Sequence, residues 1–540
     1  MNDTLLWTPS PERVAASHMT RYMKWLEARH GLRFDDYDAL WQWSVNSVED
    51  FWVSIWEYFD VRGRVPYTRV LDSHKIPGAR WFTGARLNII EHVFRWHTGE
   101  EGDRTAVIGS SELRPVQHLS WNELRRQVAA VAHALRELGV EPGDRVAACL
   151  PNVPEAVVAF CACASIGAIW SSCSPDMSTP GVVDRFRQIS PKLLIVVDGY
   201  RSGANNVDRR DAIGQLRSLL PSVRQVVSLP YLFADHVPAG TVPWQRLLDH
   251  DAPMVFESLP FEHPLWIVHA SGRAGTPTPI VHGHGGILLE QLKSHGLARG
   301  LGEDDRFMWF TTTGCVTWNV QVCALLVGST ICLHEGSPDY PDLGVLWRLI
   351  AGQRLTAFGV RAAFHVRCME ANIEHSRAGD LSALRLVASS GSLPPQTHEW
   401  IRAQLGPEVI LHSGSVRADI ASDFAGGCDL LPLYADEMPC RNLGVAVHAF
   451  KAGKPVVDQV GELVVTVPMP SMPLYFWGDA DGMRYRESYF KTYPGFWHHG
   501  ELLRITPRGG AIIHGQSHRA GDQRSDSENL DCALAGNSGA

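Results

Sequence analysis

The sequence predicts an α/β fold of mostly parallel sheets covered by helices on both faces, with a smaller β-rich section after it. Two observations carry this. From about residue 104, short β-like apolar runs alternate with stretches of helical periodicity, the pattern of a parallel sheet with crossover helices. After about residue 430 the runs become shorter and are spaced by Gly, Pro and Asp turns, the texture of an antiparallel sheet or small barrel.

The elements follow in order. Residues 1–95 read as a helical cap in which Trp25, Trp41, Trp43, Trp52 and Trp56 recur among charged residues. Large aromatics at that density anchor an extension onto a larger body. Ser120 and Glu123 form a capping box for a helix whose apolar residues are Leu124, Val128, Val131, Leu135 and Leu138, and Gly139 closes it. A strand over Arg145–Leu150 and a helix over Glu155–Ile166 come next. Further buried strands are expected at Leu193–Val197, Leu265–His269, Phe307–Thr311, Thr330–Leu333, Leu384–Ala388 and Val409–His412. Residues 96–430 thus form an α/β core of two sub-domains. Residues 431–517 form the β-rich sub-domain, with runs at Asn442–Phe450, Gly461–Val467 and Ala511–His514. Residues 518–540 are polar and read as a disordered tail.

Composition narrows the function classes. The 540 residues carry 49 Lys and Arg against 58 Asp and Glu, a net charge of −9. That argues against binding to nucleic acid or an anionic membrane through bulk charge. No apolar stretch reaches the ~18 residues of a membrane span, and the first residues have neither the basic nor the apolar region of a secretory leader. The 11 cysteines are scattered and several lie in apolar runs, as reduced buried thiols do in a cytoplasmic protein. Cys161-Ala-Cys163 has the wrong spacing for a C-x-x-C redox pair.

One segment carries chemistry by its shape. The strand ending at Ala270 runs into Ser271-Gly272-Arg273-Ala274-Gly275-Thr276-Pro277-Thr278, and Ile280-Val281-His282-Gly283-His284-Gly285-Gly286 follows. Backbone N–H groups in such a loop can converge on an anion, although a plain strand-to-helix turn gives the same composition. Together with "LWTPSPERV", "IGAIWSSCSPDM", "VVDRFRQISPK", "FTTTG", "SMPLYFW", "GFWHHGE" and "ITPRGGAIIHGQS", all in family order, this segment resembles the adenylate-forming acyl-CoA synthetases, and within them the acetoacetyl-CoA synthetase family. The resemblance covers residues 1 to about 517. It implies the large N-terminal domain of that fold and a two-step reaction. A carboxylate attacks the α-phosphate of ATP with Mg²⁺ present, giving acyl-AMP and pyrophosphate, and the thiol of CoA then displaces AMP.

Residue by residue, the resemblance also implies altered nucleotide motifs. Ser271, Gly272 and Gly275 keep the pattern of the phosphate loop, whereas its two hydroxyl residues are Arg273 and Ala274 and its lysine is Thr278. In the second motif Asp419 is kept as the Mg²⁺-side carboxylate. The glycines that let adenine approach are Val416 and Arg417, and the threonine is Ala418. A carboxylate simply paired with Arg417 is the rival reading of Asp419. Glu501 stands where an aspartate takes the ribose hydroxyls. Gln516 replaces a ribose-contacting arginine and His518 a hinge aspartate. Gly391 and Ser392 match the purine-side loop, Ser390 lacks the surroundings of a nucleophile, and Trp318 and Asn319 match the acyl pocket. His282, His284, His498 and His499 read as structural rather than as metal ligands.

These changes lead us to expect a catalytically impaired or inactive acetoacetyl-CoA synthetase-like chain, a pseudoenzyme. Beyond His518 the resemblance stops, so the mobile C-terminal domain is expected to be absent. Two alternatives stay open. One is a non-catalytic anion-binding or scaffold protein that uses Arg273 and Arg417. The other is an adenylating subunit needing a protein partner that supplies a C-terminal domain in trans. The expected small-molecule partners are an acyl substrate and a nucleotide, with no nucleic acid and no membrane.

Overall fold

The helix expected after Ser120 spans Trp121–Glu137, and half of the expected capping box forms: Ser120 Oγ accepts from the Glu123 N–H at 3.2 Å, whereas the Glu123 carboxylate accepts from Arg126 and Gln127; Gly139 takes φ +82° just beyond the end. Trp121, Leu124, Val128, Val131 and Leu135 are all fully buried. Each contributes about 1.5–3 kcal/mol by leaving water, so this stripe fixes the helix against the core. The computed structural model describes residues 4–233, 236–270, 276–414 and 416–517.

Among the described residues the strands form two large sheets and a third of five strands. The first sheet runs, in spatial order, Val242–Pro243, Gln225–Leu229, Leu193–Val197, Arg145–Cys149, Ile169–Cys173, Pro264–Ala270, Thr278–Gly283 and Tyr475–Phe476. It is parallel up to Pro264–Ala270 and antiparallel from there. The second runs Ile410–Gly414, Leu386–Ser390, Ala357–Arg361, Arg306–Trp309, Thr330–Glu335, Thr105–Ser111 and Gln117–Ser120, parallel except for its last pair. The third is antiparallel, ordered Lys454–Val456, Val447–Lys451, Val460–Val465, Trp497–Ile505 and Ala511–Gln516.

The N-terminal tryptophans act as anchors. Trp41 and Trp52 are buried, and the Trp41 indole N–H donates to the Val445 carbonyl at 3.2 Å while the Arg441 guanidinium lies over its ring. Trp56 stacks on Phe82 with centroids 4.8 Å apart. Cys161 and Cys163 lie on the helix Pro154–Ser165, both fully buried, and burial pushes the Cys161 thiol up to about 12. They are inert packing residues. No helix among the described residues is long and apolar enough to cross a membrane.

Candidate active site

Parallel strands bring their carboxyl ends to one edge of a sheet, where ligands of open α/β folds bind. In the second sheet Ser389 and Ser390 pair in register with Ser413 and Gly414. The chain then turns at Gly391, whose φ of +94° suits glycine, and the Gly391 N–H donates to the Gly414 carbonyl at 3.0 Å. Ser392 is exposed beside this turn. Gly391, Ser392 and the segment after Gly414 therefore share one edge.

That segment leads to the centre of the site. Arg417 makes a backbone bridge with Ser422, and its guanidinium reaches across to Glu501 of the third sheet as a buried ion pair. Arg417 thus pairs with Glu501, not with the nearby Asp419 as the rival reading of the sequence had it. Val416 and Ala418 are half-buried and pack against the main core.

Asp419 is held from three sides. The Tyr489 hydroxyl donates to Oδ1, His499 Nε2 lies 3.2 Å from Oδ2, and His282 Nε2 donates to the Asp419 carbonyl at 3.0 Å. The tautomer of His282 follows from its neighbours, since its Nδ1 accepts from the Trp266 indole N–H at 3.0 Å. His499 also faces Glu501, with Nδ1 3.0 Å from Oε2. Tyr489 is fixed in turn by stacking on Trp497 at 3.9 Å.

The electrostatics follow from this enclosure. Burial alone would raise both carboxyls and lower the imidazole. For Asp419 the His499 and Tyr489 contacts outweigh burial and hold the carboxyl down at about 2. For His499 burial is outweighed by Asp419 and Glu501, which push it up to about 9. Glu501 is likewise held below its ordinary value, against burial, by His499 and Arg417. The site is a four-charge network, two carboxylates against one guanidinium and one imidazolium, that neutralises itself. His282 stays neutral because burial lowers it to about 4.

His282 and His284 are not a metal pair. His282 holds Asp419, whereas His284 Nδ1 accepts from the Ile89 N–H at 3.4 Å. Replacing His282 with Gln, which can keep one of its two hydrogen bonds, is expected to cost about 1–2 kcal/mol through the unpaired buried partner. Urea unfolding would measure it, and an unchanged midpoint would show that the bridge is dispensable.

Of the remaining candidates, Gln516 pairs with Glu501 across the third sheet and its side chain is exposed. Thr278 opens the strand Thr278–Gly283 opposite Ala270. Ser271, Gly272, Arg273, Ala274, Gly275 and His518, with the tail 518–540, lie outside the described residues. Trp318 and Asn319 are buried. The Trp318 indole N–H donates to Asn152 Oδ1 at 3.0 Å and its ring stacks on Trp170 at 6.3 Å, so Trp318 is tied into the core. The sequence reading missed Tyr489, and it took His499 for a scaffold residue although it sits between the two site carboxylates. The signal for His499 was its place in His499-Gly500-Glu501, beside a candidate carboxylate.

The residues do not fit a directly bound Mg²⁺ as arranged. Both oxygens of Asp419 are engaged, and a cationic imidazole lies against one of them. Mg²⁺ would demand near-octahedral oxygen ligands at that point.

With this geometry in view, residues 94–472 match the family described as AMP-binding enzyme, and residues 37–93 match the acetyl-coenzyme A synthetase N-terminus. The chain is 41% identical over 521 residues to an acetoacetyl-coenzyme A synthetase of Rhizobium meliloti, covering 95% of this chain and 79% of the relative. The chain belongs to the acetoacetyl-CoA synthetase family of AMP-binding enzymes. Other acetoacetyl-CoA synthetases also match, such as that of Gallus gallus, 37% identical over 530 residues and covering 95% and 78% of the two chains. The solved acetoacetyl-CoA synthetase of Streptomyces lividans superposes with a TM-score of 0.93 at 44% identity, covering 95% of this chain and 80% of that one. This fixes the fold as that of the adenylate-forming acyl-CoA synthetases. ATP, Mg²⁺ and CoA are the small molecules such a family implies. The comparisons give no ground for calling the chain degenerate, nor for a separate protein partner.

Proposed function

We propose that the chain activates acetoacetate in the manner of its relatives, at a reduced rate. The carboxylate oxygen of the acid attacks the α-phosphorus of ATP, the bond to the bridging oxygen breaks, and pyrophosphate leaves. The CoA thiol, losing its proton, then attacks the acyl carbonyl and AMP leaves. The observation that carries this reading is the pair of ionised carboxylates, half-buried Asp419 and buried Glu501, gathered by His499 at the carboxyl edge of the second sheet. On this reading Glu501 accepts the ribose hydroxyls and Asp419 faces the phosphates, with Gly391 and Ser392 along the purine.

Three features support the reduced rate. Arg417 already occupies Glu501 and must leave before ribose can bind. Ala418 lacks the hydroxyl, and Thr278 the positive charge, that the family pattern places at each position. Losing one donor aimed at developing charge costs about 10²–10³-fold in rate where electrostatic stabilisation dominates. The test is acetoacetate-dependent exchange of labelled pyrophosphate into ATP, run beside the Rhizobium meliloti relative. Exchange that needs acetoacetate and runs about a hundredfold slower is expected. Exchange no greater than in a control without acid would overturn the reading.

A further inference from the structure

We propose that His133, Glu137 and His250 form a site for a borderline divalent transition metal, with Zn²⁺ as the ion to try first. His133 and Glu137 stand one turn apart on the helix Trp121–Glu137, on the face opposite the buried stripe of Leu124, Val128, Val131 and Leu135. His250 follows the short helix Gln245–Leu248, which packs against that long helix through the buried Leu247. The site therefore joins two segments more than a hundred residues apart in sequence, each fixed by its own apolar contacts.

The geometry suits a metal. His133 Nε2 lies 3.3 Å from Glu137 Oε1, and His250 Nε2 lies 3.6 Å from Glu137 Oε2. One ligand atom from each residue falls within 4.8 Å of the other two, and the imidazole rings are 5.0 Å apart. A tetrahedral ion with bonds of about 2.0–2.1 Å sets its ligand atoms about 3.3–3.4 Å from one another, the spacing of His133 Nε2 from Glu137 Oε1, and a set of one atom per residue within 4.8 Å needs only a small side-chain contraction to close on it. Two imidazoles and one carboxylate select Zn²⁺, Co²⁺, Ni²⁺ or Cu²⁺ over Mg²⁺ and Ca²⁺, which prefer all-oxygen shells. Three protein ligands leave a fourth position for water, and the partial exposure of all three side chains gives an entry path. An ion pair alone needs a single histidine, yet here two address opposite oxygens of one carboxylate. A bound ion would pin the segment around His250 to the long helix and stabilise the native chain through preferential binding.

The test uses the full chain without an affinity tag, stripped with EDTA and dialysed, and titrated with ZnCl₂ by calorimetry. One Zn²⁺ per chain with micromolar affinity is expected, together with a rise in melting temperature on adding the metal. H133A and H250A should each weaken binding at least tenfold and abolish the rise, while melting like the parent chain when metal-free. CoCl₂ should give visible ligand-field absorption in the parent chain and lose it in H250A. Absence of binding to the parent chain would overturn the proposal, as would Zn²⁺ affinity unchanged in both histidine variants.

Discussion

Replacing Arg417 with glycine is expected to tighten ATP binding by about ten- to a hundredfold. The guanidinium and the Glu501 carboxylate are only 13% and 10% exposed, so their ion pair is largely shielded from water. A hydrogen bond to a charged group contributes about 1.5–3 kcal/mol, which is about one to two decades of affinity. On the proposed reading ribose must displace that bond, so the unliganded state is favoured by the same amount. Glycine removes the competitor. It does not leave Glu501 bare, since His499 Nδ1 remains 3.0 Å away. Lysine at 417 keeps a cation within reach of the carboxylate and should give little gain. Calorimetric titration with ATP decides the matter. Unchanged or weaker affinity in R417G would mean that Arg417 aids nucleotide binding instead of competing with it.

The network behind this prediction shows where sequence reading succeeds and where it stops. Interior strands are legible because buried parallel strands are apolar along their length. Leu193–Val197 is found at the residues expected. Other strands are displaced from their expected bounds: Phe307–Thr311 is observed as Arg306–Trp309, ending earlier, whereas others run further toward the carboxyl end. The apolar run points to Leu384–Ala388, whereas the strand is Leu386–Ser390, and Thr330–Leu333 extends to Glu335. In both cases the missing end is polar, Ser389-Ser390 and His334-Glu335, and Ser389 and His334 are nonetheless buried, so the apolar run stops before the strand does.

The side-chain partners were less legible. Arg417 finds Glu501 84 residues away, and no local pattern announces that contact. What the sequence does carry is Gly500 and Gly515, isolated in strand-like runs, a sign of β-bulges. Both take positive φ, +92° and +96°, and the ladders on either side of Trp497–Ile505 shift register there. Bulges re-aim side chains next to active sites. Here the shifts flank His499 and Glu501, which meet each other at 3.0 Å while His499 also reaches Asp419. The two glycines thus mark the site more reliably than the histidine pair beside one of them.

The charge network also makes the fold sensitive to pH, and His499→Gln exposes it. The imidazole moves from 6.5 to about 9 on folding, so its contribution is present in full below pH 6.5 and lost as pH rises through 9. That displacement corresponds to roughly 3 kcal/mol for this buried group. Asp419 moves the other way, from 3.8 to about 2, so its contribution is present above pH 4 and lost as pH falls through 2. Between those limits the two groups support each other. The H499Q chain should therefore unfold at a lower temperature than its parent at pH 5–6, where the margin is at its full value. The margin should shrink steadily as pH rises from 6.5 past 9, because the parent loses its imidazolium while glutamine has none to lose. Melting curves of both chains across pH 5–10 would show it. A margin that stays constant with pH would mean that His499 acts by packing against Phe424, whose ring lies 5.0 Å away, and that its charge does not hold Asp419 and Glu501 together.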